Sequence, residues 1–152
     1  MKEFNATNTG NRVVINCATT REVLKLKQVI LNELAKHPLG LKLNGTAKDI
    51  LNKDVDFTGV IEFIKNTLLS LDGSDEFINA VFDCLKYCTY KTTYKIDWEL
   101  FDNKTVPEAR EDYYEIIEAC IEENLRPFAK SLISTWKMLN QAGKIDQLLN
   151  LL

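Results

Sequence analysis

A single histidine, His37, is all the imidazole this chain has, and that scarcity narrows the chemistry it can carry. A cysteine nucleophile needs a neighbouring base, and here only His37 is on offer. Structural zinc takes four closely placed Cys or His ligands, commonly in short pairs. The four cysteines are Cys17, Cys84, Cys88 and Cys120. Cys84 and Cys88 stand four apart inside an apolar stripe, a spacing that suits core packing better than a metal. Phosphate-cradling glycine loops are missing, as are His-Glu-x-x-His and Gly-x-Ser-x-Gly. No apolar run approaches the ~20 residues that span a bilayer. The opening residues MKEFNATNTGNR lack the apolar heart of a signal peptide, so a cytoplasmic protein with free thiols is expected.

Basic excess is missing too. Nineteen Lys and Arg face 22 Asp and Glu, for a net charge of −3. A nucleic-acid binder clusters cations against phosphates, so neither nucleic acid nor membrane is an expected partner. The aromatic and basic piece Tyr87–Lys95 reads as a surface hairpin rather than a base-stacking platform. The 152 residues, 45% hydrophobic, suit one ordinary domain.

What is present is helical periodicity. Residues 1–11 read as a flexible arm, 12–142 as a single helical domain and 143–152 as an apolar tail. Val13, Ile15 and Cys17 alternate as in a strand or an extended lead-in. The first helix is expected over Thr20–Lys36, with Thr19 and Glu22 at capping-box spacing. Its stripe is Val23, Leu26, Ile30 and Leu34, widened by Leu24 and Leu31. His37-Pro38 closes it. Leu39, Leu41 and Leu43 alternate before Asn44-Gly45.

The second helix is expected over about Asp56–Leu71, stopped by Asp72-Gly73. The third starts after Ser74, with Phe77, Val81, Cys84, Leu85 and Cys88 inward. Thr89–Ile96 is the best strand or hairpin candidate, followed by a short turn near Asp97–Phe101. The fourth helix is expected over about Pro107–Asn124, with Ala109, Tyr113, Ile116, Ile117, Cys120 and Ile121 inward. The fifth begins at Pro127. The expected fold is mainly α: a single-domain bundle of about five helices with minor strand or hairpin content.

Two surfaces stand out as candidate contacts. Glu111, Glu115, Glu118 and Glu122 can share one ridge of the fourth helix, either a solvated face or a docking surface for a basic partner. Phe128, Leu132, Trp136 and Leu139, with Leu148 and Leu149 of the tail, form an apolar set that either packs in the core or receives a partner. No residue reads as catalytic, and neither cofactor nor metal is expected.

The order of motifs between Cys84 and Phe128 resembles the small tail assembly chaperones of long-tailed bacteriophages and prophages of Gram-positive hosts. The residues are Cys84, Leu85, Cys88 and Tyr90; Phe101 and Ala109-Arg110; Asp112 to Glu115; and Asn124, Leu125, Pro127 and Phe128. The pattern around Thr19–Lys27 is similar as well. Tyr90–Ile96 departs from it, since a tight Asn-Gly turn is more typical there, and Asp97–Thr105 is an insert. The resemblance implies a non-enzymatic protein that binds the tape-measure protein, keeps its apolar helices soluble and recruits tail-tube subunits. Self-association is left open. The alternatives are a structural phage tail component and a small intracellular helical enzyme or regulator.

Overall fold

The computed structural model describes residues 1–36, 57–68, 74–102 and 104–135. The chain divides into two compact units. One comprises Met1–Leu26 and Ser74–Arg126, the other Lys27–Gly73 and Pro127–Leu152.

The first unit is built on a sheet. Strand β1 (Lys2–Asn5) pairs antiparallel with β2 (Arg12–Ile15), with Lys2 opposite Ile15 and Asn5 opposite Arg12. Strand β3 (Thr89–Tyr90) pairs with β2, and β4 (Tyr94–Lys95) with β3. All pairs are antiparallel, in the order β1-β2-β3-β4. The alternation of Val13 and Ile15 does what its period requires, and both are fully buried. Burying such a side chain contributes about 1.5–3 kcal/mol.

These strands overturn the expected single-domain bundle of about five helices. The sheet is a four-stranded layer, not minor strand content. Residues 1–11 are no flexible arm either, because Lys2–Asn5 is an edge strand. Residues 6–11, Ala6 followed by Thr, Asn and Gly, form the connecting turn. Its ends meet through Ala6 N–H to Asn11 O at 2.8 Å and Gly10 N–H to Ala6 O at 2.7 Å. Gly10 sits at φ +75°, where glycine alone is free of strain.

Helix α1 (Thr20–Lys36) has the expected bounds, and α2 (Phe57–Leu68) falls inside its expected span. Thr19 Oγ accepts from Glu22 N–H at 3.4 Å, half of the capping box. The Glu22 carboxylate takes the Thr19 hydroxyl at 2.7 Å instead of a backbone amide. Val23, Leu26 and Ile30 are buried, whereas Leu24 is exposed rather than part of the stripe.

Helix α3 (Asp75–Leu85) is capped by Ser74, which accepts from Phe77 N–H at 3.3 Å. All five residues expected inward from this segment, Phe77, Val81, Cys84, Leu85 and Cys88, are buried. Short helix α4 (Trp98–Asp102) follows β4. The expected fourth helix is two pieces: a 3-10 helix over Pro107–Asp112, then α5 (Tyr113–Leu125). Proline does open the first piece, as its fixed φ allows. Helix α5 packs on α3 and on β2.

A 3-10 turn (Arg126–Phe128) leads into α6, residues 129–135. In the second unit Val29, Ile30, Ile61, Ile64 and Leu132 are buried. The expectations for His37-Pro38, Leu39–Gly45, Asp72-Gly73, the insert residue Asn103 and the 143–152 tail lie outside the described residues.

Candidate functional site

The acidic ridge is partly engaged within the chain. Glu111 belongs to the 3-10 helix, so it does not continue the α5 spacing of Glu115, Glu118 and Glu122. The chain's own first hairpin uses much of this face. Glu115 accepts from Thr7, at 2.9 Å from the backbone N–H and 3.0 Å from the hydroxyl. Asn8 Nδ2 donates to Glu111 O at 2.8 Å. Glu122 lies 3.7 Å from Lys2 Nζ and 2.9 Å from the Arg126 guanidinium. Glu118 is half-buried. Two of the four carboxylates, Glu115 and Glu122, therefore hold the β1–β2 turn and β1, while Glu111 contributes its backbone carbonyl.

The apolar C-terminal set divides differently. Leu132 is fully buried and Phe128 half-buried. Leu132 thus serves the core. Trp136, Leu139, Leu148 and Leu149 lie outside the described residues.

Most residues carrying the phage resemblance are interior ones. Cys84, Leu85, Cys88, Tyr90, Phe101, Ala109, Asp112, Asn124 and Leu125 are all buried. Two of the polar ones act as bolts. The Tyr90 hydroxyl donates to Asp112 Oδ2 at 2.6 Å and accepts from Asn11 Nδ2 at 2.9 Å, while Thr9 Oγ donates to the same Asp112 oxygen at 2.5 Å. Asn124 Oδ1 accepts from Ala18 N–H at 2.8 Å, and its amide donates to Cys120 O at 2.8 Å. These bonds tie the β1–β2 turn and β3 to Asp112 before α5, and Ala18 to Asn124 near its end.

The four cysteines are free. Cys17 is exposed, because β2 ends at Ile15 before the alternation reaches it. Burial pushes the Cys84 thiol up to about 12 and the Cys88 thiol up to about 11, and it raises Cys120 as well. Such thiols stay protonated and unreactive at neutral pH. Among the described residues no group of three or more His, Cys, Asp and Glu side chains could hold a metal ion. Also among them, no helix is long and apolar enough to cross a membrane.

The surface that remains was missed in the sequence. Phe82 of α3 and Trp98 of α4 stack with centroids 4.1 Å apart and planes 10° from parallel. Trp98 continues to Tyr113 at 6.4 Å, and Tyr113 to Tyr114 at 5.2 Å, edge-on. Phe101 braces the set from below, 5.0 Å from Tyr113. Trp98 is 45% exposed and Tyr114 49%. Rings from three segments thus make one patch, apolar but edged with an indole N–H and a phenol. The spacing of Trp98 and Phe101, three apart in a short amphipathic turn, is the signal that could have found it.

Beside it, a depression of about 280 Å³ is lined by Tyr94, Lys95, Asp97, Glu99, Leu100, Thr105 and Val106. Asp97 Oδ1 accepts from Leu100 N–H at 3.0 Å and caps α4. Neither a cysteine nor Asp112 reaches this depression, and His37 lies outside the described residues.

In comparison with known proteins, no family model, no curated protein and no solved structure matches this chain.

Proposed function

We propose that this chain is a non-enzymatic tail assembly chaperone of a long-tailed bacteriophage or prophage, working in the cytoplasm of a Gram-positive host. It binds the tape-measure protein, shields that protein's apolar helices and recruits tail-tube subunits. The ordered residues Cys84 to Phe128 supply the resemblance behind this reading. The structural observation that supports it is the exposed aromatic patch of Trp98 and Tyr114 with Phe82 behind them. Exposed, rigid aromatic side chains with polar edges are what protein-binding surfaces present, because they give large contact area at small entropic cost.

The test is co-expression. A very long helical protein encoded beside this chain should be insoluble alone and soluble with it, and the two should co-purify. A tape-measure protein that stays insoluble, with no co-purification, would remove the chaperone reading.

A further inference from the structure

The hydrogen-bond phase of the sheet fixes which way β1 turns its main chain. Ala6 N–H reaches Asn11 O at 2.8 Å, in register with the β1–β2 pairs, so Ala6 and Asn11 are a bonded pair. Bonded pairs alternate along an antiparallel ladder. Phe4 and Lys2 therefore bond to Val13 and Ile15, while the N–H and C=O of Glu3 and Asn5 point away from β2. The bond from Lys91 N–H to Arg12 O, also 2.8 Å, gives the same phase from the other side, turning Arg12 and Val14 to β3. Strand β1 is an edge of the sheet, and among the described residues nothing bonds to the outward groups of Glu3 and Asn5. The inner face has an open end at the same place. Tyr90 lies opposite Val13 and Val13 opposite Phe4, so one apolar row crosses three strands and stops at a half-buried Phe4.

We infer that β1 is a dimer interface: it pairs antiparallel with β1 of a second copy about a two-fold axis through Phe4, joining the two sheets into one. The fit of this strand to itself is what selects a second copy. Opposed residues point to the same side of a sheet, so a two-fold axis perpendicular to it passes through a residue. With the axis at Phe4, Glu3 meets Asn5 of the second copy and Asn5 meets its Glu3. These are the residues with outward groups, and each pair exchanges both main-chain bonds. Phe4 comes against Phe4 of the second copy, an aromatic cross-strand pair that continues the apolar row. On the outer face Glu3, 2.6 Å from its own Arg12, gains a row that ends in Arg12 of the second copy. The other axes fit worse. Axes at Lys2 and at Glu3 set like charges directly opposite. An axis at Asn5 sets Glu3 against Thr7, whose N–H is already held by Glu115 at 2.9 Å. The inference does not depend on the chaperone reading.

The test is analytical ultracentrifugation of the full chain over a dilution series, at a salt concentration that screens the net charge of −3 on each copy. The mass should rise from 17.4 kDa towards twice that as concentration increases. Asn5→Pro removes an outward N–H and no β1–β2 bond, a place where an edge strand tolerates proline. It should hold the chain at the monomer mass with its melting temperature little changed. Crosslinking checks the register and stands by itself should Asn5→Pro fail to fold. In a Cys17→Ser background, Phe4→Cys should give a disulfide-linked dimer under mild copper oxidation. Directly opposed residues of a non-bonded pair lie about 4.5 Å apart at Cα, within disulfide reach. Glu3→Cys in the same background should not crosslink, because Glu3 faces Asn5. A wild-type chain that stays monomeric at every concentration overturns the inference, leaving the edge open or to a strand of another protein. A dimer that persists in a folded Asn5→Pro overturns it too, and so does crosslinking of Glu3→Cys as efficient as that of Phe4→Cys.

Discussion

The Tyr90 hydroxyl meets Asp112 Oδ2 at 2.6 Å, joining the second residue of β3 to the residue that precedes α5. Both side chains are fully buried, and the bond spans 22 residues of chain. Thr9 reaches the same oxygen from the β1–β2 turn, so three segments converge on one carboxyl. Tyr90→Phe keeps the ring and removes the donor. It should cost about 1–3 kcal/mol, the usual penalty when a buried polar group loses a partner. Urea denaturation would register this as a lower midpoint with unchanged slope; an unmoved midpoint would mean the bolt is ornamental.

The β3–β4 connection predicts a gain instead. Lys91 and Thr92 both hold positive φ, 51° and 64°. A β-branched residue is poorly suited to that region, and glycine adopts it without a Cβ clash. Thr92→Gly should therefore raise stability by roughly 0.5–1 kcal/mol even after the loss of the Thr92 hydroxyl bond to Lys91 O. Lys91 is better kept, because its ammonium pairs with Glu108. A lower melting temperature for Thr92→Gly would show that the turn is set by side-chain contacts rather than by φ.

Apolar period made most of the helices legible. Val23, Leu26 and Ile30 on α1, and Phe77, Val81, Cys84 and Leu85 on α3, carry unambiguous 3.6-residue stripes, and α1 starts where expected. The sheet was not legible as a sheet. Strands β3 and β4 pair inside Thr89–Ile96, where a strand or hairpin was expected, but with two residues each they do not announce that the hairpin joins β2 in a four-stranded sheet. Strand β1 alternates only between half-buried and exposed, and Phe4 is its single apolar residue, so Lys2–Asn5 carries no apolar alternation. Its place is fixed from a distance, by β2 and by the Thr7, Asn8 and Thr9 bonds to Glu115, Glu111 O and Asp112. The acidic face misled for the same reason, since sequence shows a carboxylate but not its donor. The aromatic patch needs α3, α4 and α5 brought together, and no local window contains that.

The first hairpin yields a test against the arm reading. Deleting residues 1–10 removes a paired edge strand and three donors to the start of α5. A loss of about 2 kcal/mol or more is expected, a fall in melting temperature of roughly 4–8 °C for a chain of this size. A flexible arm would leave the melting temperature where it was.

Thiol labelling separates the cysteines. In the native protein Cys17 should react with an alkylating reagent at neutral pH. Cys84, Cys88 and Cys120 should react only after denaturant, because burial keeps their thiols protonated and covered. Rapid native modification of Cys84 would contradict the packing of α3 on α5.

Glu22 gives the pH dependence. Desolvation pushes its carboxyl upward, but the Tyr87 hydroxyl at 2.6 Å, the Thr19 hydroxyl and Lys86 outweigh it, and the net shift is downward. A group held below its unfolded value stabilises the fold above that unfolded value, and the contribution is lost as pH falls through the folded one. Tyr87→Phe should therefore raise the Glu22 titration midpoint, as followed by carboxyl-carbon NMR, and reduce stability near neutrality more than in strong acid. A midpoint unchanged by Tyr87→Phe would dismiss the contact.

The most direct measurement is hydrogen exchange on the full chain with and without a soluble fragment of the long helical protein encoded beside it. Binding through the aromatic patch should slow exchange in α4 and the first turns of α5, around residues 98–102 and 113–118, and leave β1 and β2 unchanged. A complex that protects neither segment would contradict the patch as the client surface. The failure of any fragment to bind would contradict the chaperone function itself.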